Sequence, residues 1–197
     1  IPRDQSSSQK SAVSGHYDRF RSRIMFPITD LRKRVVAFGG RVLGDGMPKY
    51  MNSPETPLFK KGQTLFALDA AREAASQQQT LIIVEGYFDA VALHQAGIRH
   101  VAATLGTALT PEHITVIRRF ASNIVLLFDP DQAGVRAALR TLDLFVNSGL
   151  SVKVVSLPQG EDPDTYVRKH GAEGFATLHR AAPSLLDFAM EHSLRTA

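Results

Sequence analysis

The sequence predicts an α/β protein in which a parallel sheet with flanking helices is preceded by a small α+β or β-rich unit and followed by helices. Three observations lead there. From residue 62 to 160, short apolar runs alternate with stretches of helical period. Before them, two apolar runs flank a short polar gap, the pattern of a hairpin. After Pro163 the period is helical.

Residues 1–15 are rich in Ser and Gln, notably Gln5 to Gln9, and read as a flexible connector. In residues 16–61, Ile24 to Ile28 and Val35 to Phe38 form the hairpin around Asp30 to Arg34. Gly39-Gly40 suggests a bulge or tight bend there, and Val42-Leu43 and Tyr50-Met51 add short strands. In residues 62–160, Leu65 to Gln78 predicts a helix, Leu81 to Val84 a buried strand, Ala90 to Ala96 a helix stopped by Gly97, and Val101 to Ala103 a second strand. Thr110 before Pro111 is an N-cap with proline at the first helical position, opening a helix to about Ala121. The strand Ile124 to Phe128, a helix from Ala133 to Asn147 and the strand Val152 to Leu157 complete the alternation. Strands apolar on both faces need cover on both, so the sheet is expected to be parallel and sandwiched by helices. Residues 161–197 read as helices with breaks at Gly171 and Pro183.

Composition excludes several classes of function. The longest apolar runs are about five residues, far short of the roughly 20 that span a bilayer, so no membrane segment is expected. Cysteine is absent, which removes disulfides, thiolate zinc sites and cysteine nucleophiles. Charge is divided unevenly: Ile1 to Lys61 carries 12 Lys and Arg against 5 Asp and Glu, whereas the rest of the chain is net acidic. A basic first third suggests a polyanionic partner, and the acids beyond it are either ordinary surface or metal ligands. The opening Ile-Pro-Arg-Asp has neither an initiator Met nor a leader, and suggests a piece of a longer protein.

In an open parallel sheet, ligands bind beyond the carboxyl ends of the strands. Glu85-Gly86-Tyr87-Phe88-Asp89 follows the first strand, Thr104-Leu105-Gly106-Thr107 the second, Asp129-Pro130-Asp131 the third and Gly160-Glu161-Asp162-Pro163-Asp164 the fourth. Three of these ends carry clustered carboxylates. Alternate acids in an extended turn aim the same way, as in Asp129-x-Asp131 and Asp162-x-Asp164, and Glu85 and Asp89 lie one helical turn apart. Carboxylates without His or Cys suit Mg²⁺ or Mn²⁺ rather than zinc. The plainer alternative is that Asp162, Asp164, Asp129 and Asp131 are helix caps and that Asp89 only lines a first turn. His94, His113 and His170 show no paired spacing and read as structural.

Glu85-Gly86 after one strand and Asp129-x-Asp131 after another resemble the Toprim domain of primases, topoisomerases, small nucleases and recombination proteins. Fuller strings narrow the resemblance: Tyr17-Asp18-Arg19-Phe20-Arg21, Met25-Phe26-Pro27-Ile28, Phe38-Gly39-Gly40-Arg41-Val42-Leu43, Pro48-Lys49-Tyr50-Met51-Asn52-Ser53-Pro54-Glu55-Thr56, Glu85 to Asp89, Ala103 to Ala108 and Gly160 to Asp164. Together, from Tyr17 onward, they are similar to the catalytic core of the bacterial DnaG-type DNA primases. The family commonly has Asp-Gly-Asp-Arg-Ala-Gly where this chain has Asp129-Pro130-Asp131-Gln132-Ala133-Gly134, so both carboxylates survive while the turn is stiffened and one positive charge is lost.

The resemblance implies residues 16–61 as part of the basic N-terminal subdomain, 62–160 as a Toprim domain and 161–197 as a helical segment of the core. It implies an enzyme that copies DNA into short RNA primers by metal-dependent nucleotidyl transfer. Mg²⁺ or Mn²⁺ would be held by Asp129, Asp131, Asp162 and Asp164 with Glu85 and Asp89, and Glu85 is either a proton carrier or an inner metal ligand. Arg41, Lys49 and Lys61 match the family's basic positions. Arg19, Arg21 and Arg23 form an alternating run that would point one way from a strand, and Asn52 and Ser53 either bond a nucleotide or shape their loop. The implied partners are a single-stranded DNA template, ribonucleoside triphosphates, the RNA–DNA hybrid and a replicative helicase engaged through a domain absent here, at the bacterial replication fork in the cytoplasm. A zinc ribbon is also expected to be missing, and the stretch alone is expected to prime weakly. Two other readings are topoisomerase-like or nuclease-like DNA cleavage and a non-catalytic nucleic-acid-binding module.

Overall fold

The computed structural model describes residues 17–128, 139–146 and 148–196. A small antiparallel sheet comes first, with β1 (Arg23–Thr29), β2 (Val35–Val42) and β3 (Tyr50–Asn52) in the order β1-β2-β3. The β1–β2 turn is closed by Asp30, whose carboxylate accepts from the backbone N–H of Arg32 at 2.8 Å and from Nε of Arg34 at 2.8 Å.

The irregularity expected at Gly39-Gly40 lies instead between Ile28 and Thr29. Both glycines stay in regular β2, opposite Phe26 and Met25, and they are needed for close approach. A Cβ on Gly39 would sit 2.6 Å from Cζ of Tyr87, and one on Gly40 would sit 2.8 Å from Cδ1 of Phe20. Tertiary neighbours, not the local turn, set those two residues.

The larger sheet contains β4 (Thr80–Val84), β5 (Val101–Ala103), β6 (Asn123–Phe128) and β7 (Ser151–Ser156), all parallel, in the order β5-β4-β6-β7. Helices α1 (Leu68–Gln78), α2 (Tyr87–Gln95), α3 (Pro111–Ile117), α4 (Leu142–Val146), α5 (Pro163–Ala181) and α6 (Leu185–Thr196) surround it. Strand alternation divides the core cleanly. Leu81, Ile83, Ile124, Leu126 and Val154 face α1, α3, α4 and α6, whereas Ile82, Val84, Val125, Leu127 and Val155 face α2 and α5. Each such buried aliphatic side chain contributes about 1.5–3 kcal/mol. A third cluster of Ile28, Ala37, Phe59, Tyr87 and Leu105 joins the small sheet to the large one.

Several boundaries differ from the sequence expectation for backbone reasons. The first long helix starts at Leu68, not Leu65, because Phe66 exchanges two hydrogen bonds with Ala103 and extends the edge of the sheet. Ala67 then turns the chain at φ 61°. Helix α3 stops at Ile117, after which Arg119 and Phe120 donate to carbonyls three residues back, tightening the end. The break expected at Gly171 is present, where a non-helical φ of 65° and ψ of −173° interrupts the helical path of α5. The chain then passes Pro183, whose carbonyl accepts from Val154, and so shields the edge of β7. Of the helix expected from Ala133 to Asn147, residues 133–138 and 147 lie outside the described residues. Among the described residues, no helix is long and apolar enough to cross a membrane.

The chain runs outward from β4 to β5, then crosses back over β4 to β6. The following helices lie on opposite faces, α2 after β4 and α4 after β6. Such a divergence opens a crevice between the carboxyl ends of the two strands.

Candidate active site at the carboxyl ends of the strands

Glu85 leaves β4 at that crevice, with an exposed side chain directly after fully buried Val84. Gly86 is the N-cap of α2, and Asp89 reaches back to accept from its N–H at 3.1 Å. A Cβ on Gly86 would meet that carboxylate at 2.6 Å, so a side chain there would push Asp89 away from the cap. Glu85 and Asp89 therefore stand on the same strand-to-helix turn.

Between them, Tyr87 turns inward. Its ring stacks on Phe26 at a centroid distance of 5.1 Å, meets Phe66 edge-on at 4.8 Å and leaves no room for a side chain at residue 39. Its hydroxyl donates to the side-chain oxygen of Asn52, and the Asn52 amide nitrogen donates to the carbonyl of Leu105 at 2.9 Å. Burial pushes the Tyr87 phenol up to about 12, partly offset by the bond to Asn52. Both ends of the Asn52 amide, a residue read from sequence as either a nucleotide contact or a loop former, are thus bonded within the protein. Ser53 holds the loop too, accepting from the N–H of Phe38 at 3.0 Å.

The basic sheet meets the acidic rim through Arg41. Its guanidinium lies 4.7 Å from the ring centre of Phe88 and 5.9 Å from that of Tyr50. Burial raises the Tyr50 phenol; the Arg41 charge opposes the rise and the charges of Asp89 and Asp162 add to it. Arg41, Tyr50, Phe88, Asp89 and Asp162 consequently share one electrostatic neighbourhood. Lys49 is exposed beside Tyr50, and its carbonyl accepts from the N–H of Val42 at 3.0 Å.

Asp162 and Asp164 do not lie in an extended turn, because Pro163 starts α5 between them. Asp162 is the N-cap, accepting from the Thr165 N–H at 2.8 Å, and that bond is the main cause of its lowered carboxyl pKa. Asp164 binds Nε of Arg168 at 2.7 Å and lines a groove with Ala92, Gln95 and Ala96 of the α2 end. The two carboxylates serve different surroundings. Asp129 and Asp131 lie outside the described residues, following Phe128 at the end of β6. Among the described residues no three acidic or histidine groups are close enough to hold an ion. The donor types at the rim are carboxylates, which suits a hard divalent cation.

The expected arginine strand is absent at its start. Arg19 and Arg21 precede β1, and Ser22 breaks the alternation at φ 50°. Arg21 lies over Tyr17, while Arg23 donates to the carbonyls of Gly40 and Lys49 at 3.3 and 3.4 Å and so supports the sheet. Lys61 belongs to the Lys61–Gln63 turn, where its carbonyl accepts from Nε2 of fully buried His113 at 3.0 Å. His94 likewise bonds the Val101 carbonyl at 2.8 Å, and His170 packs on the ring of Tyr166, so all three histidines have structural surroundings.

A cleft of about 360 Å³ brings in residues that sequence reasoning missed. Thr104, Thr107, Arg140 and Thr141 line it together with Glu85, and Oγ1 of Thr107 is buried without a hydrogen-bond partner. The loop from Thr104 to Thr107 was visible as a strand end, but a search for carboxylates passes over hydroxyls.

The family "DNA primase catalytic core, N-terminal domain" matches residues 3–72, and the family "Toprim-like" matches residues 82–167. A DNA primase of Clostridium acetobutylicum is 46% identical over 177 residues, which is 90% of this chain and 30% of that protein. A crystal structure of a DNA primase domain from Pseudomonas aeruginosa superposes with a TM-score of 0.87 at 45% identity, covering 96% of this chain and 60% of that one. A DnaG primase catalytic domain bound to single-stranded DNA gives a TM-score of 0.83 at 42% identity, covering 98% of this chain and 60% of that one. The chain thus spans about 30% of the length of the curated relative and 60% of these solved chains. Its antiparallel sheet, its four-stranded parallel sheet and the acidic turn after β4 are parts of one known architecture, and the chain belongs to the DnaG-type bacterial DNA primases, as a stretch of the catalytic core that carries the Toprim domain.

Proposed function

We propose that this chain is the catalytic portion of an enzyme that copies single-stranded DNA into short RNA primers from ribonucleoside triphosphates. One observation carries the reading: Glu85 opens the crevice between β4 and β6 while Arg41, on the basic sheet, lies against Phe88, the residue before Asp89. Cationic and carboxylate groups therefore meet at one rim, the combination needed to hold a triphosphate and its counter-ions. A primase domain bound to single-stranded DNA shares this fold and supports the choice of template.

Glu85, Asp129, Asp131 and Asp162, with Asp89, are the residues that would hold Mg²⁺ or Mn²⁺, whereas Asp164 is committed to Arg168. Bound there, the ion supplies neutralisation of phosphate charge and a lower pKa for the attacking hydroxyl. The protein's own contribution is positional. Arg41 and Lys49 bind phosphate without regard to base sequence, as copying requires. Lys61 is assigned to the same surface. Glu85 either carries a proton or ligates the ion. The RNA–DNA hybrid is the product held on that surface, and a replicative helicase at the cytoplasmic fork is the partner expected of the longer protein.

The test is ribonucleotide incorporation on a single-stranded template by the full-length parent and by its Glu85→Gln variant. Primer synthesis by the parent and a loss of at least a hundredfold in the variant, about 2.7 kcal/mol of activation free energy, are expected. Template cleavage without incorporation would overturn the proposal, and a fully active variant would remove Glu85 from it.

A further inference from the structure

On the side of the parallel sheet facing α1 and α3, a cavity of about 470 Å³ opens between the β1–β2 turn, α1 and the end of α3. It shares no lining residue with the cleft at Glu85. Three guanidinium groups from three separate elements line it: Arg32, Arg72 and Arg119. Among the described residues, none of them has a carboxylate within 4.0 Å. Arg72 is anchored by donating to the Leu31 carbonyl at 2.8 Å, and Arg119 folds over the ring of Phe120.

The two acids on the wall are already engaged. Asp30 is paired with Arg34 and bonded to two backbone N–H groups, which hold its carboxyl pKa down. Asp69 accepts from the Thr29 hydroxyl at 2.7 Å. The floor is apolar, made by Leu31, buried Leu65 and Leu68, and Val116. A pocket with unneutralised cations on its walls and an aliphatic floor matches an anion that also carries a flat apolar part.

We propose that this cavity binds a phosphate-bearing small molecule of nucleotide size, apart from the catalytic rim. The guanidinium fork matches phosphate oxygens in pairs, and two or more such groups favour a ligand with more than one negative charge. The volume lies within the usual range for small-molecule sites, roughly 300–1,000 Å³. Arg32 comes from the β1–β2 turn of the small sheet, whereas Arg72 is on α1 and Arg119 lies just past the end of α3, both beside the large sheet. A ligand held by all three ties the two units together.

The test is calorimetric titration of the chain with ADP, pyrophosphate and adenosine in EDTA, which keeps metal-dependent binding at the rim out of the measurement. ADP is expected to bind more tightly than pyrophosphate, with adenosine showing no heat. Arg32→Ser and Arg119→Ser, both at exposed positions, should each weaken ADP at least tenfold. Asp69→Asn should strengthen it two- to threefold, a gain that misfolding cannot produce. Absence of ADP binding, or binding indifferent to both arginine variants, would overturn the site. Pyrophosphate binding as tightly as ADP would overturn the nucleotide assignment. None of these outcomes depends on primer synthesis.

Discussion

The hydroxyl of Tyr87 and the side-chain oxygen of Asn52 are joined by a hydrogen bond across the seam between the two sheets. Tyr87 sits in the chain between Glu85 and Asp89, and Asn52 ends β3 of the basic sheet. This bond and the one from Asn52 to Leu105 hold the acidic turn against the basic surface.

Breaking the clamp from either side should therefore cost similar and non-additive amounts. Tyr87→Phe and Asn52→Ala are each expected to destabilise the chain by about 1–2 kcal/mol, because a largely buried partner is left unsatisfied. The double variant should lose less than the sum of the two, as touching residues do. Urea unfolding of the four proteins measures this, and strict additivity would show that the bond contributes nothing.

Stability should fall on acidification through a buried histidine. Burial, reinforced by the charges of His179 and His94, lowers His100 to about 4 from the ordinary 6.5. The unfolded chain takes up a proton near 6.5, whereas the folded chain resists until about 4. The stability present above 6.5 is consequently lost as pH falls through that window, and the loss levels off below it. His113 and His179, both lowered chiefly by burial, act in the same direction. Thermal melting from pH 7.5 to 4 should show a smaller decline in His100→Gln than in the wild-type chain. Equal declines would remove His100 as a cause.

Divalent metal should depend on the acids after β4 and β6 more than on Asp164. Titration with Mn²⁺ is expected to show at least tenfold weaker binding in Asp129→Ala/Asp131→Ala, and little change in Asp164→Asn, whose carboxylate is committed to Arg168. Equal affinity in the wild type and the double variant would sink the metal assignment.

Charge reversal at Lys49 should weaken single-stranded DNA binding and flatten its salt dependence, by about 0.7 in log–log slope for each phosphate left without its cation. Asn52→Ala carries no charge change, so it should leave the slope intact even where affinity falls. Fluorescence anisotropy at several salt concentrations separates the two. An unchanged slope in Lys49→Glu would mean that this lysine only solvates the surface.

Elements with a local cause were legible in the sequence. Thr110 accepts from the His113 N–H at 3.2 Å, as its position before Pro111 implied, and β4 through β7 appear where the apolar runs stand. The acidic end of β4 was equally legible, because Glu is a poor cap and its place after a strand needs another reason. The pairing of Asp162 with Asp164 was misleading for a related reason. Spacing of two suggests a shared direction in extended backbone, but Pro163 starts a helix and separates them.

Periodicity and strings of neighbouring residues were enough to establish the order of elements, the two-sided burial of the sheet and the family. Folding was needed to show that Gly39 must be glycine, that Arg41 lies over Phe88, that Asn52 faces inward and that Arg32, Arg72 and Arg119 share a cavity. Each of these depends on an encounter between residues far apart in the chain: Gly39 meets Tyr87, Asn52 bonds Leu105, and Arg32 lines the same cavity as Arg119. No local pattern records which distant side chain will occupy the space beside a residue, and at this protein's rim that neighbour determines what each residue is for.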